Sequence, residues 1–147
     1  MLSETDKRII RLLQRNARVP NTELARALDV TETTIRNRVN RMLDEGLIEI
    51  VAVVDPKVAG ASISAFLTLM VGLGDVEAVA RSLHDREEVR YLSLIIGRGQ
   101  ILMETFFRDH DHLLSFQEDL LATMPSITRV ETAIVVRVHK LSYEWEI

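Results

Sequence analysis

The chain contains no cysteine. That excludes a disulfide framework, a thiol nucleophile and any cysteine-ligated zinc or iron–sulfur centre, and it favours a reducing compartment. Three prolines and six glycines in 147 residues leave no collagenous or low-complexity sequence. Long hydrophobic runs are missing too. The longest uncharged stretch, Val58–Gly74, is broken by Gly60, Gly72, Ser62, Ser64 and Thr68, whereas a membrane helix needs about 20 mostly apolar residues. The opening, Met1–Asp6, has no apolar core of the signal-peptide kind. A cytoplasmic protein without a membrane span is expected.

Apolar residues make up 47% of the chain and charged residues 27%. This is enough for a core, in one compact domain or two small ones. The formal net charge is −4, which does not advertise nucleic-acid binding. The charge is uneven, however. Residues 1–50 hold nine Lys and Arg against eight Asp and Glu, and the remainder holds nine against fourteen. Such asymmetry suggests two units with different partners, and an acidic total leaves room for a local basic surface.

The first fifty residues read as three short helices. Asp6–Asn16 carries Ile9, Leu12 and Leu13 at helical spacing. Pro20 breaks the chain, and Asn21 is placed to cap a helix over Thr22–Leu28 with Leu24, Ala25 and Leu28 inward. Asp29-Val30-Thr31 is a short turn in which Asp tolerates a left-handed backbone. Thr31 can cap a third helix ending at Leu43 or Asp44, with Gly46 as its stop. Two helices joined by so short a turn form a helix-turn-helix, with the first helix completing a small core. Leu47–Val54 reads as a following strand, a wing or a connector.

A different pattern begins after Gly60. Strands are predicted over Ser62–Val71, Val89–Ile96, Gln100–Phe107 and Ile127–His139. Helices are predicted over Asp75–His84 and from an Asp109 cap to Pro125, the latter with Leu113, Phe116, Leu120, Leu121 and Met124 on one side. The order βαββαβ predicts a ferredoxin-like sheet with two helices on one face. The other face must meet something, and a second copy of the chain is the simplest partner. The expectation is therefore an α+β protein with a three-helix, optionally winged, helix-turn-helix DNA-binding domain in residues 1–50. A connecting strand or linker follows in 51–60, then a ferredoxin-like dimerisation and effector domain in 61–147.

The third helix is the most informative segment. At about 100° per residue, Ile35, Val39, Met42 and Leu43 share an apolar sector. Thr33, Thr34, Asn37, Asn40 and Arg41 lie opposite, flanked by Arg36 and Arg38. These residue types bond phosphates and base edges, and one such helix fits the major groove. Thr31, Thr33, Thr34, Arg36, Asn37, Arg38 and Arg41 are therefore candidates for contact with double-stranded DNA. Thr33, Asn37 and Arg41 would read bases, and Arg36 and Arg38 would hold phosphates. A solvated polar face is the plain alternative. No nucleophile–base–orienter spacing is legible, so no catalytic residue is assigned. His110 and His112 point apart on a helix and lack companion ligands, so no metal site is assigned and no cofactor is expected.

Several segments together resemble the leucine-responsive/AsnC family of transcription regulators. They are Glu4–Arg18, Glu23-Leu-Ala, Val30–Ile48, Asp55-Pro56, Gly60, Ala65-Phe66 and Val130–Val135, and their order spans essentially the whole chain. The resemblance implies a helix-turn-helix joined to a ferredoxin-like effector domain, with homodimers that can assemble further into tetramers, octamers or rings. It also implies small ligands, commonly amino acids. One departure stands out. Where the family's turn reads Gly, two variable residues, then Asp, this chain has Gly97-Arg98-Gly99-Gln100. That turn, with Thr132, is the candidate effector site, near a neighbouring subunit. Glycine lets backbone amides approach a ligand, Arg98 suits a carboxylate, and the missing acid removes a partner for an ammonium. A small anionic ligand without a free amine is expected in preference to an amino acid, although two glycines can equally make a plain tight turn. Two rival functions are carried forward. One is a tetrapyrrole-pathway decarboxylase of the same architecture, which would need His and Arg lining a large pocket, for which Arg90, Tyr91 and His139 are too sparse. The other is a ligand-independent architectural DNA-binding protein.

Overall fold

The computed structural model describes residues 2–147. The chain divides into two units. One runs to Val53 and also takes in His139–Ile147; the other is Val54–Val138.

The first unit is built on α1 (Glu4–Arg15), α2 (Asn21–Leu28) and α3 (Glu32–Asp44). Helix α1 begins at Glu4, two residues before the expected start, with Ser3 as its cap. The Ser3 hydroxyl accepts the Asp6 amide at 3.2 Å, and the Asp6 carboxylate accepts the Ser3 amide at 2.9 Å. This reciprocal capping box satisfies two amides that the helix cannot bond itself. Asn21, expected as a cap, is instead the first residue of α2. Pro20 occupies the cap with an extended backbone and no side-chain bond, as its fixed φ allows. Asp29 takes the left-handed conformation expected of it, at φ 55°, and Thr31 caps α3 by accepting the Thr34 amide at 3.2 Å. Gly46 ends α3 at φ 65°. There the Leu47 amide bonds the Met42 carbonyl at 2.8 Å and the Gly46 amide bonds Leu43 at 3.0 Å. This Schellman closure needs a left-handed residue, which glycine supplies at least cost. Ile9, Leu24, Ile35 and Met42 form the centre of the core. Leu43, assigned to the apolar stripe, is exposed.

The second unit has the order β1 (Ile63–Val71), α4 (Val76–His84), β2 (Val89–Leu94), β3 (Ile101–Phe107), α5 (His110–Thr123), β4 (Ile127–Ile134). The sheet order is β2-β3-β1-β4, antiparallel throughout. Helix α4 links β1 to β2 across β3, and α5 links β3 to β4 across β1. These two interlocked crossovers make the ferredoxin-like sheet that the sequence predicts. Alternate residues of β1 (Ile63, Ala65, Leu67, Leu69, Val71) are buried with Val79 and Leu83 of α4 and with Leu113, Phe116 and Leu120 of α5. Leu121, assigned to the same side of α5, is exposed. Thr105 is the polar residue in this core; its hydroxyl donates to the Ala65 carbonyl at 2.9 Å, which offsets its burial. The other parity of the sheet, with Phe66, Thr68, Met70, Leu102 and Phe106, is not covered by α4 or α5 and is only partly buried.

Three of the strand expectations change. Leu47–Val54 forms no strand among the described residues. Its β-branched side chains suit a pleat, but a strand exists only by pairing, and this segment pairs with none of the described residues. Strand β4 stops at Ile134 instead of His139. Its neighbour β1 begins at Ile63, and the last rung is the Val135 amide on the Ser64 carbonyl at 2.8 Å. Strand β2 likewise stops at Leu94, its last partner being Ile101.

Residues 139–147, expected within the second domain, instead pack with the first unit. Arg11 donates from Nε and Nη2 to the main-chain oxygen of Ile147 at 3.2 and 2.5 Å. Gln14 donates to the Trp145 carbonyl at 3.2 Å and accepts the Trp145 amide. The Gln14 side-chain amide thus replaces a strand partner, and Ile147 joins the edge of the three-helix core. Trp145 is the single tryptophan of the chain, so its fluorescence reports on this segment alone. In the variant Gln14→Ala, the steady-state emission anisotropy of Trp145 is expected to fall while helical circular dichroism is retained. Unchanged anisotropy would contradict the docking.

Candidate nucleic-acid interface

Helix α3 is fixed from below by Ile35 and Met42, both fully buried. Thr33, Arg36, Asn37 and Asn40 are exposed on it. Thr31 and Thr34 stand at its start, their hydroxyls 2.8 Å apart and both occupied in the cap. Arg36 has no ion-pair partner among the described residues.

Arg38 and Arg41 have a different setting. They lie on the flank of α3 that meets the start of α1, where the Asp6 side chain is fully buried. Arg38 Nη1 donates to Asp6 Oδ1 at 3.0 Å and to the Ser3 hydroxyl at 3.1 Å, and Arg41 Nη2 donates to Asp6 Oδ2 at 2.8 Å. The Ser3 hydroxyl and amide donate to Oδ2 at 2.7 and 2.9 Å. Four donors thus converge on one carboxylate, three on Oδ2 and one on Oδ1. Burial opposes the charged form of Asp6, but the bonds from Ser3, Arg38 and Arg41 outweigh it and hold its pKa well below the ordinary carboxylate range. A helical wheel sets Arg41 opposite the apolar stripe beside Asn37, whereas the structure turns it toward α1.

Sequence reasoning passes over Ser3 and Asp6. The capping-box pattern Ser-x-x-Asp ahead of an apolar run is a legible signal. Its connection to α3 is not, because the arginines lie 32 and 35 residues downstream.

The candidate effector turn joins β2 to β3. Gly99 is buried, and a Cβ there would lie 2.6 Å from both the Leu69 carbonyl oxygen and Thr68 Cγ2. Glycine is needed at that position for close approach to β1. Gly97 is open, with nothing near its missing Cβ. Gln100 donates its amide to the Leu69 carbonyl at 2.9 Å, and its side-chain oxygen accepts the Val71 amide at 2.8 Å. It does so where the β1–β4 register slips between Met70 and Val71. Arg98 is exposed. Thr132 is not brought to this turn: it pairs with Leu67 on the far side of β1 and accepts from Gln117 of α5 at 2.6 Å. Of the histidines, His112 places Nε2 3.1 Å from Glu88 and its ring edge-on to Phe107.

A capped three-helix unit with a polar, cationic third helix, followed by a ferredoxin-like sheet, defines the class of two-domain proteins with a helix-turn-helix DNA-binding unit. Comparison with known proteins narrows the class. Residues 2–49 match the winged helix-turn-helix DNA-binding family model, and residues 64–145 match the Lrp/AsnC ligand binding domain. An uncharacterised HTH-type transcriptional regulator of Pyrococcus abyssi is 35% identical over 97% of this chain and 90% of its own length. The regulator LrpA of Pyrococcus horikoshii is 31% identical over 92% and 97%. The structure of E. coli AsnC superposes with a TM-score of 0.88 at 26% identity, covering 96% of each chain. A Neisseria meningitidis regulator solved with L-Met shares the fold, with a TM-score of 0.89 at 22% identity over 99% and 97% of the two chains. The chain belongs to the Lrp/AsnC family and is a DNA-binding transcription regulator with a ligand-binding domain. No helix among the described residues is long and apolar enough to cross a membrane.

Acid should weaken the α1–α3 junction. A group whose folded pKa is depressed stabilises fully above its unfolded pKa, about 3.9 for Asp, and loses that contribution as pH falls further. Asp6→Ala is expected to cost about 2 kcal/mol at pH 7, on the low side for a buried pair because both guanidiniums are partly in solvent. The difference from wild type should persist to pH 5 and shrink below about pH 4. Urea unfolding across that range checks it, and a pH-independent difference would contradict it.

Proposed function

We propose that the protein acts as a homodimer on a two-fold symmetric duplex site, with α3 of each protomer in the major groove and Thr33, Arg36 and Asn37 at the contact. The observation that carries this reading is the exposed polar face of α3, anchored by buried Ile35 and Met42. The half-covered sheet face with Phe66, Met70 and Leu102 supports pairing with a second copy. The reading is of a non-enzymatic regulator working in the cytoplasm, where the DNA is. Arg90 and Tyr91 on β2 and His139 belong to different units, which gives the decarboxylase alternative no support. Fluorescence anisotropy on a duplex selected from random sequence tests the proposal. Two chains per duplex are expected, with Asn37→Ala weakening binding by about 1–3 kcal/mol at each half-site and leaving binding to unrelated duplex little changed. Equal affinity for selected and unrelated duplex would instead favour an architectural role.

We further propose a small effector at the Gly97–Arg98 end of the β2–β3 turn, close to a second subunit. The L-Met held by the Neisseria relative supports a small ligand of this size. Arg98 is exposed and without an ion-pair partner among the described residues, which suits a carboxylate. Gln100 carries no charge for an ammonium, and its oxygen is committed to Val71. Simple carboxylates are expected to raise the melting temperature more than any of the twenty amino acids in a thermal-shift screen. The largest shift coming from a common amino acid would reverse this assignment.

A further inference from the structure

The buried carboxylate of Asp6 takes no part in the proposed DNA contact, yet it bonds two of the three arginines of α3. Both of its oxygens are occupied, with no access to water. Drawing either guanidinium away to a phosphate would leave a buried anion short of a donor. An exposed, salt-screened bond to phosphate is weak compensation for that. Arg36 carries no such obligation. It lies on the opposite flank of α3, exposed and without an ion-pair partner among the described residues.

We propose that Asp6 is a positioning residue for DNA recognition: it holds Arg38 and Arg41 as internal counter-ions against α1, withholds their charge from the duplex, and leaves Arg36 as the cation that α3 offers to phosphate. The proposal rests on the DNA-binding reading above. It also gives the flank of α3 nearest α1 a definite role. That flank sets the angle of the helix instead of reading sequence, so Arg41 does not discriminate between bases.

The test is the salt dependence of binding, because each phosphate neutralised contributes about 0.9 to the slope of log affinity against log salt. Full-length wild type, Arg36→Gln, Arg41→Gln, Asp6→Asn and the double variant Asp6→Asn with Arg41→Gln are titrated by anisotropy on the same selected duplex. Arg36→Gln is expected to lower the slope by about 0.9 for each phosphate that Arg36 neutralises in the wild type. Arg41→Gln should leave it unchanged. Asp6→Asn should steepen it, because two guanidiniums become available, and adding Arg41→Gln in that background should take back about 0.9 per protomer. A merely structural role for Asp6 would lower the active fraction without steepening the slope, and that outcome counts against the proposal. If Asp6→Asn fails to fold by circular dichroism, the comparison of Arg41→Gln with Arg36→Gln decides alone. An equal fall in slope in those two single variants would overturn the proposal. Absence of duplex binding by wild type would instead strike the DNA-binding reading beneath it.

Discussion

The reading unit depends on one buried carboxylate. Three short helices of eight to thirteen residues are too short to be stable alone, and their shared core is small. Apolar contact through Ile9, Leu24, Ile35 and Met42 holds them together but does not by itself fix the angle at which α3 leaves the core. Asp6 adds direction. It caps α1 through Ser3 and draws Arg38 and Arg41 of α3 onto the same atoms. A buried charge with four specified donors tolerates little displacement, because removal of any one leaves the buried anion short of a donor.

The second unit follows a different constraint. Two helices can cover only one face of a four-stranded sheet, so the burial alternates along β1 and β3 and the opposite face keeps partly exposed Phe66 and Leu102. The β2–β3 turn is shaped by close approach. Gly99 lies against the β1 backbone, and Gln100 supplies an acceptor for the Val71 amide where the ladder slips. A turn that reads as a ligand loop is therefore half structural: Gly99 and Gln100 hold β1, while Gly97 and Arg98 remain outward.

Local chemistry along the chain determined most of the element plan. Helical spacing, the Asp29 turn, the Thr31 cap and the Gly46 stop are decided by neighbours within five residues, and βαββαβ order follows from alternation and breakers. Tertiary structure decided what local patterns cannot carry. Leu47–Val54 has the composition of a strand, yet pairing needs a neighbour, and residues 136–139 run out of theirs where β1 begins. The segment 139–147 joins the first unit because Arg11 and Gln14, more than a hundred residues earlier, bond its backbone. A helical wheel places Arg41 by angle alone; its partner Asp6 comes from another helix, and a long-range ion pair leaves no periodic trace in sequence. That is why the polar face of α3 was legible from residue order, while the division of its arginines between fold and function belongs to the folded chain.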